Sequence, residues 1–97
     1  MAADPIVWII DAQQWPRACL RAELIERGLE AVGYTDLPDA AAALRHAGTS
    51  RPAVVVLELR DQAIERRLLD ELMQGNIRVI LLVGAVEANE QTVRGHN

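Results

Sequence analysis

The sequence predicts an α/β fold, a parallel sheet with helices on both faces, and three observations predict it. The apolar runs at residues 6–10, 53–57 and 77–83 are close to continuous rather than alternating, as strands covered on both faces require. Between the strand segments lie stretches in which apolar residues recur at helical steps. Strand and helix segments follow one another in strict alternation, which calls for right-handed crossovers and parallel pairing. With 97 residues and 51% hydrophobic content, the chain suits one small domain. That domain is expected over residues 1–86, with 87–97 as a polar tail or the start of a truncated helix.

The first strand, residues 6–10, ends at Asp11. Pro16 suits the first turn of the helix that follows, because a missing amide proton costs little there. Leu20, Leu24 and Ile25 supply the inward spacing of that helix, Glu23 and Arg27 form an i,i+4 pair, and Gly28 ends it. Residues 29–34 make a second strand that Glu30 and Gly33 push to a sheet edge. Asp36 caps the second helix, Pro38 sits in its first turn, and the alanines at 40–43 allow close packing. A turn at 48–50 leads to the third strand, and Asp61 or a neighbour opens a third helix running to about Gln74. Leu68, Leu69 and Leu72 are its inward stripe, Gly75 and Asn76 its stop, and residues 77–83 the fourth strand.

Composition excludes several function classes. The net charge of −4 and three aromatic residues disfavour nucleic acid, which needs basic grooves and stacking platforms. The N-terminal apolar run is too short for a signal-peptide core, and no segment reads as a membrane span. Cys19 has no second cysteine to pair with, and its neighbours Ala18, Leu20 and Ala22 suit a packed helix, so a cytoplasmic setting is expected. His46 reads as a helix-surface residue and His96 as part of the tail. No nucleophile stands beside a base, and the loop 12–16 has no glycine to cradle a phosphate, so no enzyme is expected.

Several stretches carry a family likeness in order: the first strand ending in Asp11; Leu20, Leu24 and Gly28; Ala43 and Leu44; residues 52–59; and residues 78–82. Together they resemble the receiver domain of bacterial response regulators, the phosphate-accepting module of two-component signal transduction. The resemblance implies a flavodoxin-like three-layer sandwich with strand order 2-1-3-4, C-terminally incomplete because a fifth strand is missing. Receivers hold Mg²⁺ between an acidic pair and an acceptor aspartate while a phosphoryl group is transferred.

Placed on the family pattern, the acidic pair corresponds to Asp11 and Ala12, and the acceptor to Glu58. The switch hydroxyl corresponds to Val83, followed by Gly84, and the fifth-strand lysine has no counterpart. Glu58 then reads either as a built-in charge imitating phosphate or as a solvated strand-end residue. Asp11 and Asp61 read as a residual acidic pocket, and Asp11 and Glu58 are the weak candidates for holding a cation. Arg60 pairs with these carboxylates or faces solvent. Trp15 is either a partner contact or a packed lid, and Glu65, Arg66, Arg67, Asp70 and Glu71 make a solvated helix face.

The implied function is a pseudo-receiver, a regulatory interaction module independent of aspartyl phosphorylation and without a cofactor. Its partner would be a protein such as a kinase or output domain. The alternatives are a degenerate phosphorelay receiver with weak phosphate or Mg²⁺ binding, and a small-ligand-binding domain of the same fold. An apolar fourth strand at a sheet edge further predicts a homodimer through that edge.

Overall fold

The computed structural model describes residues 5–48 and 50–83. Its elements are β1 (Ile6–Ile10), α1 (Gln14–Glu26), β2 (Glu30–Tyr34), α2 (Leu37–Arg45), β3 (Val54–Glu58), α3 (Arg66–Met73) and β4 (Arg78–Leu82). The four strands form one parallel sheet in the order β2-β1-β3-β4, as a flavodoxin-like α/β fold requires. Register is continuous across the centre: Ile10 pairs with Tyr34 on one side and Leu57 on the other, and Leu57 with Leu81.

Alternate side chains divide the sheet between two faces. Trp8, Ile10, Val55 and Leu57 meet Leu37, Ala40, Ala41 and Leu44 of α2 and Leu68 and Leu72 of α3, forming the main core. The alanines of α2 bring its backbone close to the sheet, and the stripe of α3 falls where the helical spacing places it. Leu69 lies partly buried beside that core. Trp8 and Tyr34 stack with centroids 4.8 Å apart at 57°, an arrangement that contributes about 1 kcal/mol beyond area burial. Val7, Ile9 and Ala31 are buried on the opposite face, where α1 packs chiefly against β2.

The helix ends follow their residues. The Asp36 carboxylate accepts the amide of Asp39 at 2.8 Å, with Pro38 in the first turn. Asp36→Ala is expected to cost about 1 kcal/mol, read as a lower urea midpoint with unchanged slope. Gly28 at φ 86 and Gly75 at φ 72 take the left-handed conformation that ends α1 and follows α3.

Several expectations need correction. The third helix begins at Arg66, not near Asp61; residues 62–65 are loop, and Asp61 occupies a turn at φ 60. The fourth strand is shorter than expected, with Ile77 buried ahead of it and Val83 exposed beyond it. No residue of α1 is fully buried: Leu20 and Leu24 are half-buried, Ile25 is exposed, and Cys19 faces solvent rather than packing. The physical reason is that α1 packs chiefly over the β1–β2 half of the sheet, so much of its circumference has nothing to bury against. Glu23 and Arg27 pair at 3.1 Å on its exposed surface. Thr49 of the expected turn, Gly84, the tail 87–97 and His96 lie outside the described residues. Among the described residues, no helix is long and apolar enough to cross a membrane.

Candidate functional site

In a parallel sheet of this kind, the loops beyond the strand C-termini carry the ligand chemistry. Two carboxylates stand there, one immediately after β1 and one at the end of β3. Asp11 and Glu58 are both buried, and they follow the paired residues Ile10 and Leu57 at the next position in register. Each carboxylate does the same local work. Asp11 Oδ1 accepts the amide of Gln13 at 2.9 Å, and Glu58 Oε1 accepts the amide of Arg60 at 3.0 Å. Both strands therefore leave the sheet through a turn in which a side chain satisfies the amide two residues on.

Glu58 is only 5% exposed, so it is not the solvated strand-end residue that one reading expected. Arg60 is likewise not the solvent-facing arginine that one reading expected. It is half-buried, and its Nη2 donates to Gln13 Oε1 at 3.0 Å across the gap between the β1 and β3 loops. Gln13 Nε2 reaches Asp61 Oδ2 at 3.5 Å, so one amide side chain spans Arg60 and Asp61. Arg17 Nη1 donates to the carbonyl of Asp11 at 2.8 Å, closing the β1 side of the turn. The chain's own polar contacts thus join the β1 and β3 loops above the strand ends.

Sequence reasoning gave no part to Gln13, Arg17 or Gln62. Gln62 Nε2 donates to the carbonyl of Thr35 at 2.9 Å, and its Oε1 accepts the amide of Leu37 at 3.3 Å, tying the β3–α3 loop to the start of α2. The available signal was local: amide side chains three residues past one strand end and four past the other. Their partners lie as many as 48 residues away, and spacing alone does not report such contacts.

The other expected positions fall as follows. Ala12 is half-buried and contributes no oxygen ligand from its side chain, while Val83 is exposed. Trp15 is 78% exposed at the start of α1, which removes the packed-lid reading. On α3 and its lead-in, Glu65, Arg66, Arg67 and Asp70 face solvent as expected, but Glu71 is half-buried and holds Arg45 of α2 at 3.0 Å. His46 is exposed after the last turn of α2.

Mg²⁺ takes about six oxygen ligands in near-octahedral geometry. Asp11 and Glu58 offer two carboxylates, each with one oxygen already engaged by a backbone amide. Among the described residues, no group of three or more His, Cys, Asp or Glu is placed to hold a metal ion. The residues do not fit the receiver's metal.

A concavity of about 180 Å³ lies elsewhere, lined by Ile6, Trp8, Val32, Tyr34 and Ala43 among others, on the α2 side of β1 and β2. Glu30 borders it, whereas Asp11, Glu58 and Asp61 do not. Partial burial beside it raises the phenol of Tyr34 above its ordinary 10.0. Because the folded value is the higher one, the stabilising contribution is present below pH 10 and is lost as pH rises through the folded value. Tyr34 is the chain's one tyrosine, so an ultraviolet difference titration should show a single late ionisation that moves earlier in urea.

Comparisons with family models, with curated proteins and with solved structures find no match to this chain.

Proposed function

We propose that the domain is a regulatory protein-interaction module of signal transduction, a pseudo-receiver that works without aspartyl phosphorylation. The observation that carries this reading is the use made of Glu58: its carboxylate caps the turn into Arg60, while Gln13 spans Arg60 and Asp61. A phosphoryl group there would have to displace those contacts, and Val83, at the position of the receiver's switch hydroxyl, has no hydroxyl to bind it. The absence of a second cysteine suits a cytoplasmic setting, in which the exposed Cys19 stays reduced.

What remains for such a domain is contact, and α1 offers a surface for it. Trp15, Ala18, Cys19, Ala22 and Ile25 are all exposed and fall within an arc of about 120° at 3.6 residues per turn. An exposed tryptophan beside small side chains gives a protein partner, such as a kinase or output domain, an anchor and a flat approach.

Incubation with Mg²⁺ and acetyl phosphate, followed by intact-mass measurement, tests the proposal. The expected result is no added phosphoryl mass on the wild-type chain. A stable addition, lost on Glu58→Gln, would transfer the domain to the phosphorelay class.

A further inference from the structure

The two edges of the sheet are built differently. On β2, Arg21 Nε donates to the Ala31 carbonyl at 3.0 Å. The stem of Arg17 lies over Gly33 so closely that a Cβ there would meet it at 3.1 Å. With Glu30 exposed at the start of the strand, that edge carries charge along its length, a common guard against further pairing. The β4 edge has no such guard. It contains neither proline nor glycine, and Arg78 is its one charge. Ile80 is exposed, Leu81 is 51% exposed and Val83 just beyond is 71% exposed. No strand lies beside its outer main-chain groups among the described residues.

We propose that a second copy of this chain occupies the edge, with the two β4 strands antiparallel about a two-fold axis at Ile80 and the two sheets merged into one of eight strands. A two-fold axis perpendicular to the sheet keeps every residue on its own face. Ile80 then meets Ile80, Val79 meets Leu81, and Arg78 meets Leu82 of the other copy. Each cross-strand pair is aliphatic or sets an arginine stem over leucine, the kind of contact that stabilises paired strands.

The charge pattern selects this arrangement. The two Arg78 residues stand four positions apart along the paired strands, about 13 Å, which is beyond the screening length at physiological salt. A parallel, in-register pairing would set them side by side. Leu82 pairs within its own sheet with Glu58, on the same face as Arg78. Arg78 of one copy therefore points across Leu82 toward the Asp11–Glu58 end of the other, two strand spacings or about 10 Å from Glu58. A cation delivered toward an acidic strand end is charge complementarity, and it makes the surface self-recognising. The pairing goes beyond the function proposed above and does not depend on it, since phosphorylation and assembly are read by separate measurements.

A five-residue edge is a small interface, so the dimer is expected in the range of about 10 µM to 1 mM rather than at nanomolar concentration. Sedimentation velocity of the full chain across that range should show a monomer–dimer equilibrium. Leu81→Lys, with its native circular dichroism retained, should weaken it at least tenfold, and so should Arg78→Glu. In a Cys19→Ser background, Ile80→Cys should form a disulfide-linked dimer on mild oxidation faster than wild-type Cys19 does. That test stands even if Leu81→Lys fails to fold. A wild-type chain still monomeric at about 1 mM overturns the proposal. So does a dimer that survives Leu81→Lys unchanged, or one that crosslinks through Cys19 rather than position 80, which would place contact on α1.

Discussion

Leu57→Ala is expected to lower the free energy of unfolding by about 3 kcal/mol, within the range for buried leucine truncation. Leu57 is fully buried in β3, one of the two central strands, and belongs to the cluster formed with Ile10, Leu68 and Leu72. The neighbouring backbones are fixed by pairing on both sides, at Ile10 and Leu81, so the cavity has little room to collapse. Small domains hold roughly 5–10 kcal/mol in total, and the variant should lose a third or more of that. Leu81→Ala provides the comparison: it occupies the same register position on β4 but is half-exposed, and should cost less than about 1 kcal/mol. Urea denaturation followed by circular dichroism measures both. Equal losses at 57 and 81 would mean that the core does not lie where these contacts place it.

Glu58→Ala is expected to cost about 2 kcal/mol, because the amide of Arg60 would lose its acceptor in a half-buried turn. Glu58→Asp should cost less than about 1 kcal/mol, since an aspartate caps the equivalent turn after β1, where Asp11 accepts from Gln13. The pair of variants separates a turn-forming role from a charge-presenting one. If alanine is tolerated as well as aspartate, the carboxylate is not what holds the turn. If the aspartate variant takes up phosphate from acetyl phosphate, the surrounding residues support phosphoryl chemistry that their contacts do not indicate.

Residue patterns revealed the elements because each pattern has a local physical cause. The apolar runs around Val55 and Ile9 need two covered faces, and Asp36 with Pro38 can do little other than begin a helix. Parallel pairing followed from the alternation of elements, while strand order came through the receiver resemblance. The site was less legible. Glu58 drew attention by its position, but its burial and its bond to the Arg60 amide depend on a turn whose shape is set by Asp61 in a left-handed conformation. An aspartate tolerates that conformation without announcing it as a glycine would. That local surprise also displaced the expected start of the third helix from Asp61 to Arg66. The bridge from Gln13 to Arg60 joins two loops far apart in sequence, and no periodicity encodes it.

The chain's two tryptophans occupy opposite environments, Trp8 within the core beside Tyr34 and Trp15 on the outside of α1. Intrinsic fluorescence should therefore split into a blue, quencher-resistant component and a red one that iodide extinguishes. The first follows the integrity of the fold; the second follows whatever approaches α1. A titration that shifts the red component while leaving the blue one untouched would detect docking on an unlabelled, unaltered chain.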